Sequence, residues 1–120
     1  MFAATLWPGL GDDGRKKRAA ASRASLTRPG RWAAFQKTIK GLDHRVVEPY
    51  FSKVRAPVLV VMGDKDPDFD PVKEAEWVVS KFSGAETLMV PGAGHAPMFE
   101  SPEVVAEKMV SFLGDKANVR

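Results

Sequence analysis

Hydrophobic and polar positions follow two different rhythms along this chain, and the sharper one lies in its second half. Ala56-Pro57-Val58-Leu59-Val60-Val61-Met62-Gly63 is a continuous apolar run, rich in β-branched residues and closed by glycine. A strand covered on both faces has this pattern, which predicts a buried strand over 57–62. Asp70 then offers an N-cap and Pro71 a first helical residue, and Val72, Ala75, Val78, Val79 and Phe82 follow at helical spacing until Ser83-Gly84. Glu86-Thr87-Leu88-Met89-Val90 is a second short strand, broken by Pro91-Gly92. Ser101-Pro102 opens a last helix whose Val105, Met109, Phe112 and Leu113 share one face before Gly114. The order strand, helix, strand, helix favours parallel strands joined by a right-handed crossover.

The first half has the helical rhythm throughout. Asp12 or Asp13 is placed to cap an alanine-rich helix running to about Leu26, and Arg28-Pro29-Gly30 is a break. Trp32, Phe35 and Ile39 stand at i, i+3 and i+7 on a second helix that ends near Gly41. An aromatic pair at that spacing usually faces a core, so Trp32 and Phe35 are expected in one. Val46, Val47, Tyr50, Phe51 and Val54 form a short apolar segment that leads to the first strand.

Length and composition refine this picture. A chain of 120 residues fits one domain, with about 65% of the unfolded surface buried on folding. At 44% hydrophobic and 28% charged residues the chain is too apolar to be disordered. The net charge of +3 hides an imbalance: residues 1–55 carry 12 Lys/Arg against 4 Asp/Glu, whereas residues 56–120 carry 6 against 11. The chain therefore divides into a basic helical segment, 1–55, and an acidic strand-helix-strand-helix segment, 56–120. The absence of cysteine excludes a disulfide framework, a thiol nucleophile and any Cys-ligated metal centre, and fits a cytoplasmic protein. MFAATLWPGL at the start has no basic residues ahead of it, and no run approaches about 18 apolar residues, so neither a signal peptide nor membrane association is expected. The basic stretch from Arg15 to Arg31 would attract phosphate backbones, but it lacks the aromatic interleaving of a stacking platform. A solvated helix face is expected there rather than a nucleic-acid partner.

Candidate chemistry concentrates at two places, Gly63-Asp64-Lys65-Asp66-Pro67-Asp68 and Gly92-Ala93-Gly94-His95-Ala96-Pro97. Each follows the carboxyl end of an expected parallel strand, where open α/β sheets place their ligand sites. A carboxylate after one strand and an imidazole after the next can meet. The carboxylate then fixes the imidazole's tautomer, and the imidazole takes a proton from a nucleophile and returns it to the leaving group. Asp64, Asp66, Asp68 and Asp70 alternate like the ligands of a calcium loop. However, Phe69 stands where that loop needs glycine and Ala75 where it needs glutamate, so no metal is expected. His44, beside Asp43, has the setting of a surface histidine rather than of a second base.

The strand, Gly-x-x-Asp, helix, strand and Gly-x-Gly-His-x-Pro series resembles the carboxyl-terminal portion of the α/β-hydrolase fold, over about residues 56–113. The resemblance implies an α/β fold in which a short parallel sheet of two strands, with flanking helices, forms part of a hydrolase core. It also implies that residues 19–55 are the end of a helical cap. Carried over by position, Asp66 is the family's acid and His95 its general base, with no cofactor. The family's serine lies in a Gly-x-Ser-x-Gly turn ahead of these elements, and no serine of this chain stands in that pentapeptide. What the resemblance implies is hydrolysis of small carboxylic esters by a His-Asp pair whose nucleophile is not identified. The alternative is an inactive fragment that persists as an assembly or interaction domain.

The 57–62 strand, apolar on both faces, would have a neighbour on its other side in a complete hydrolase core. An unpaired flat edge of this kind seeks a partner. The expected partner is a second copy of the chain, joined through the strand edge and the apolar helices, or a separate amino-terminal half. Light scattering tests the first: at micromolar concentration the chain should have at least twice the monomer mass, and a monodisperse monomer would rule it out.

Overall fold

In the computed structural model, residues 6–117 are described, apart from the side chains of His44, Lys116 and Ala117. Two helices come first, α1 over Asp12–Leu26 and α2 over Arg31–Gly41, followed by 3₁₀ turns at His44–Val46 and Glu48–Lys53. Then come β1 (Leu59–Gly63), α3 (Pro71–Val79), β2 (Glu86–Val90), the single turn α4 (Pro97–Glu100) and α5 (Pro102–Ala117). The strands pair in parallel, with Leu59 opposite Glu86 and Gly63 opposite Val90. The α/β order expected from the sequence is therefore present, with α3 as the crossover.

Several boundaries move from where the sequence pattern puts them, for local reasons. Gly11, not Asp12 or Asp13, is the N-cap of α1, and both aspartates lie in its first turn, where they still face the positive end of the helix dipole. The strand starts at Leu59 rather than Pro57, since proline has no N–H to give to the ladder. Helix α3 stops at Val79, four residues short of Ser83. Its last apolar residue, Phe82, lies in the following turn and tilts against Phe51 with ring centroids 5.2 Å apart. Helix α5 runs through Gly114 to Ala117.

The core is small and sits under the carboxyl ends of the strands. Val90, Ala93 and Val105 form its centre, with Val61 and Leu88 packed against them. Val90 is 1% exposed, and burying a side chain of that size contributes about 1.5–3 kcal/mol. Ala75 on α3 and Phe112 on α5 are also buried. A 2.7 Å ion pair from Lys108 to Glu86 ties α5 to the start of β2; being partly exposed, it adds at most about 1 kcal/mol.

Trp32 and Phe35 do not enter this core. They stack on each other at 5.7 Å and remain 54% and 43% exposed, as do Ile39, Val46 and Tyr50 to similar degrees. Periodicity marks a face that wants cover but does not say whether the same chain supplies it, and here the two-stranded sheet is too small to reach α2.

Gly63, the last residue of β1, is where the fold tolerates least change. A Cβ there would collide with the main-chain carbonyls of Ala93 and Gly94, which are not free to swing aside as a side chain would be. Gly63→Ala should destabilise the chain by about 1–3 kcal/mol, the usual cost of overpacking. Gly114→Ala, which meets nothing within 4 Å, should leave stability unchanged or slightly raised. Thermal unfolding by circular dichroism checks both.

Candidate active site

The site is built on two loops that leave adjacent parallel strands side by side. After β1, the Asp64 N–H donates to the Val90 carbonyl at 3.1 Å and the Lys65 N–H to the Ala93 carbonyl at 2.9 Å. After β2 the chain turns at Gly92, whose φ of +73° is left-handed and favours glycine. The Gly92 N–H donates to Asp64 Oδ1 at 2.7 Å, a further tie between the loops.

These ties bring Asp66 and His95 together, 29 residues apart in sequence. Nδ1 of His95 lies 3.1 Å from Oδ2 and 3.4 Å from Oδ1 of Asp66. A carboxylate only accepts, so the bond requires a proton on Nδ1, and in the neutral ring Nε2 then keeps its lone pair. The Asp66 side chain is 5% exposed and that of His95 46%. Asp66 is itself held, since its Oδ1 accepts the Asp68 N–H at 2.9 Å. The ring of Phe69 lies nearly parallel to the imidazole, with centroids 6.0 Å apart.

The four alternating aspartates take different tasks. Asp64 joins the loops, Asp66 holds His95, and Asp70 caps α3 by accepting the Lys73 N–H at 3.2 Å. Asp68 approaches His95 Nδ1 at 3.7 Å. Donor atoms of Asp66, Asp68 and His95 lie within 4.8 Å of one another, and among the described residues this is the one such grouping. Asp64 and Asp70 point to other work, so the four do not converge as calcium ligands.

Asp66 and His95, the two residues singled out in the sequence, are in contact, and the sequence did not reveal what surrounds them. It did not bring Asp68 or Phe69 to the imidazole, nor Leu6, whose carbonyl accepts the His95 N–H at 2.8 Å. It also missed Glu100, which accepts N–H groups from both sides of the histidine. Glu100 had a local signal, since Pro97 can start a helical turn that brings residue 100 back over residue 96. Leu6 had none. The side chain of His44 lies outside the described residues. A hollow of about 340 Å³ lined by Phe51, Ser52, Val54, Arg55, Lys81 and Phe82, among others, shares no residue with the pair.

A parallel βαβ unit with an acid beyond its first strand and a histidine beyond its second is the carboxyl-terminal part of an α/β-hydrolase core. The chain belongs to the alpha/beta hydrolase family, whose model matches residues 2–108. It is similar to the crystal structure of a His-tagged serine hydrolase involved in carbazole degradation, the CarC enzyme. The TM-score is 0.70 and the identity 27%, over 94% of this chain and 45% of that one. The chain thus spans less than half the length of that relative. No curated protein matches it.

Asp70 gives a pH test of the loop that carries the acid. The Lys73 ammonium, and next the Lys73 N–H, hold its carboxyl below the usual range. A carboxyl lowered in the folded state stabilises above its unfolded pKa, and the contribution is lost as pH falls through the folded pKa. Asp70→Ala should therefore lower Tm at neutral pH, with the gap to wild type closing in acid. Melting curves across pH check this, and a constant gap would contradict it.

Proposed function

We propose that this chain carries the acid-base half of a hydrolase acting on small carboxylic esters, with His95 as general base and Asp66 as its orienting acid. The observation that carries this reading is the 3.1 Å contact from a nearly buried carboxylate to Nδ1 of a half-exposed imidazole. Nε2, which hydrogen-bonds to no described residue, then takes the proton of a hydroxyl nucleophile and delivers it to the departing alkoxide. Asp66 keeps the tautomer that makes Nε2 basic and faces the positive charge that forms on the ring. The likeness to a serine hydrolase supports a seryl nucleophile, and the sequence of this chain holds no Gly-x-Ser-x-Gly turn to supply it. The nucleophile is then a water, a serine held outside that motif, or a hydroxyl supplied by another chain.

A second reading is favoured by the exposed apolar residues Trp32, Phe35, Ile39 and Tyr50. On that reading the chain is an interaction domain that oligomerises or binds an acidic partner through its basic segment. Hydrolysis of p-nitrophenyl acetate separates the two, measured on the chain alone and together with any upstream segment that encodes Gly-x-Ser-x-Gly. His95→Ala should lower kcat/KM by about 10²–10⁴-fold, the usual contribution of a positioned base, while Glu76→Ala on the exposed side of α3 leaves it unchanged. Turnover indifferent to His95, or salt-sensitive binding with no turnover, would favour the second reading.

A further inference from the structure

Every main-chain N–H from Gly92 to Ala96 has a partner, and two of the five share one carboxylate. Gly92 donates to Asp64 at 2.7 Å and Ala93 to the Val90 carbonyl at 3.4 Å, while His95 donates to the Leu6 carbonyl at 2.8 Å. Gly94 and Ala96, the residues on either side of the histidine, both donate to Oε1 of Glu100, at 2.9 and 3.3 Å. The other oxygen, Oε2, accepts the Gly9 N–H at 2.7 Å. Glu100 ends the single turn α4, whose N-cap is Ala96, so its side chain folds back onto the N-cap amide of its own turn. Charge-assisted hydrogen bonds of this type are about twice as strong as neutral ones. Both bridged segments are closely packed at their glycines. A Cβ on Gly94 would strike the Leu6 carbonyl and the Pro8 ring, and one on Gly9 would press on Glu100 and on the Gly92 carbonyl.

We infer that Glu100 is a positioning residue for His95, fixing the imidazole against Asp66 by clamping the amides on both sides of it and fastening the loop to the segment Leu6–Gly9. This rests on the reading of His95 as the base. Glu100 acts through the main chain: with Gly94 and Ala96 held, the Cα–Cβ direction of His95 is set, and only its two side-chain torsions remain to bring Nδ1 to Asp66. Without the clamp the ring would remain attached but would sample orientations in which Nδ1 loses its acceptor. A misplacement of about 1 Å at a reacting group is enough to lower a rate about 10²-fold, so a carboxylate outside the pair can control how well the pair works.

The test reads the ring directly, so it does not depend on where the nucleophile comes from. Long-range ¹H–¹⁵N correlation spectra in alkaline buffer report which nitrogen of the neutral His95 ring carries the proton, and amide exchange reports the clamp. Wild type should show the Nδ1–H tautomer with protected Gly94 and Ala96 amides. Glu100→Ala should give mixed tautomers and about 10–100-fold faster exchange at both amides. Glu100→Gln, which keeps one acceptor oxygen, should recover most of both signals. Val60→Ala, a core variant at the other end of β1, controls for general loosening. Retention of the tautomer and of protection in Glu100→Ala would overturn the inference, as would an equal tautomer change in Val60→Ala. Asp66→Ala, which leaves no acceptor at that position, separates this from the underlying reading: an unchanged tautomer there would refute the His95–Asp66 pair, and the Glu100 exchange data would still judge the clamp.

Discussion

Main-chain hydrogen bonds between the loop after β1 and the loop after β2 carry the rest of the site. Asp64 and Lys65 donate across to Val90 and Ala93, and Gly63 leaves no space between the two backbones. Parallel strands make this possible, because both carboxyl ends emerge on the same side of the sheet. Asp66 and His95 meet because their loops are already in contact. The aspartate reaches a nearly buried position while the imidazole stays half open.

The same constraint explains why so small a core suffices to hold the pair. Val90 ends β2, Ala93 belongs to the loop that follows it and Val105 packs against them from α5, so apolar burial and site geometry reinforce each other. Away from the site the chain is thinly covered. Helix α2 has no buried residue and the turns at 44–53 expose most of their apolar side chains. The chain spans 45% of the serine hydrolase it resembles, and in a longer polypeptide further strands would lie beside β1.

How much was legible in the sequence differs from residue to residue for physical reasons. The strands were legible because a β-branched run closed by glycine has few alternatives, and α3 because Asp70-Pro71 states its start. Position beyond a strand marked two clusters, and the family resemblance singled out Asp66 and His95 within them. Trp32 and Phe35 were misplaced, since a helical stripe records a preference for cover without naming the surface that provides it. Leu6 was invisible. Its role is a main-chain carbonyl, which any residue offers, and its partner lies 89 positions away at His95.

The amino-acid order by itself determined the βαβ arrangement and the two residues at its carboxyl end, since local propensity and chain connectivity are properties of short stretches. Only the tertiary structure decided the separate contacts of Asp64, Asp68 and Asp70, and that Glu100 and the segment at Leu6–Gly9 hold the histidine loop. Those are matters of side-chain direction and of main-chain groups meeting across long separations, on which side-chain identity and spacing are silent.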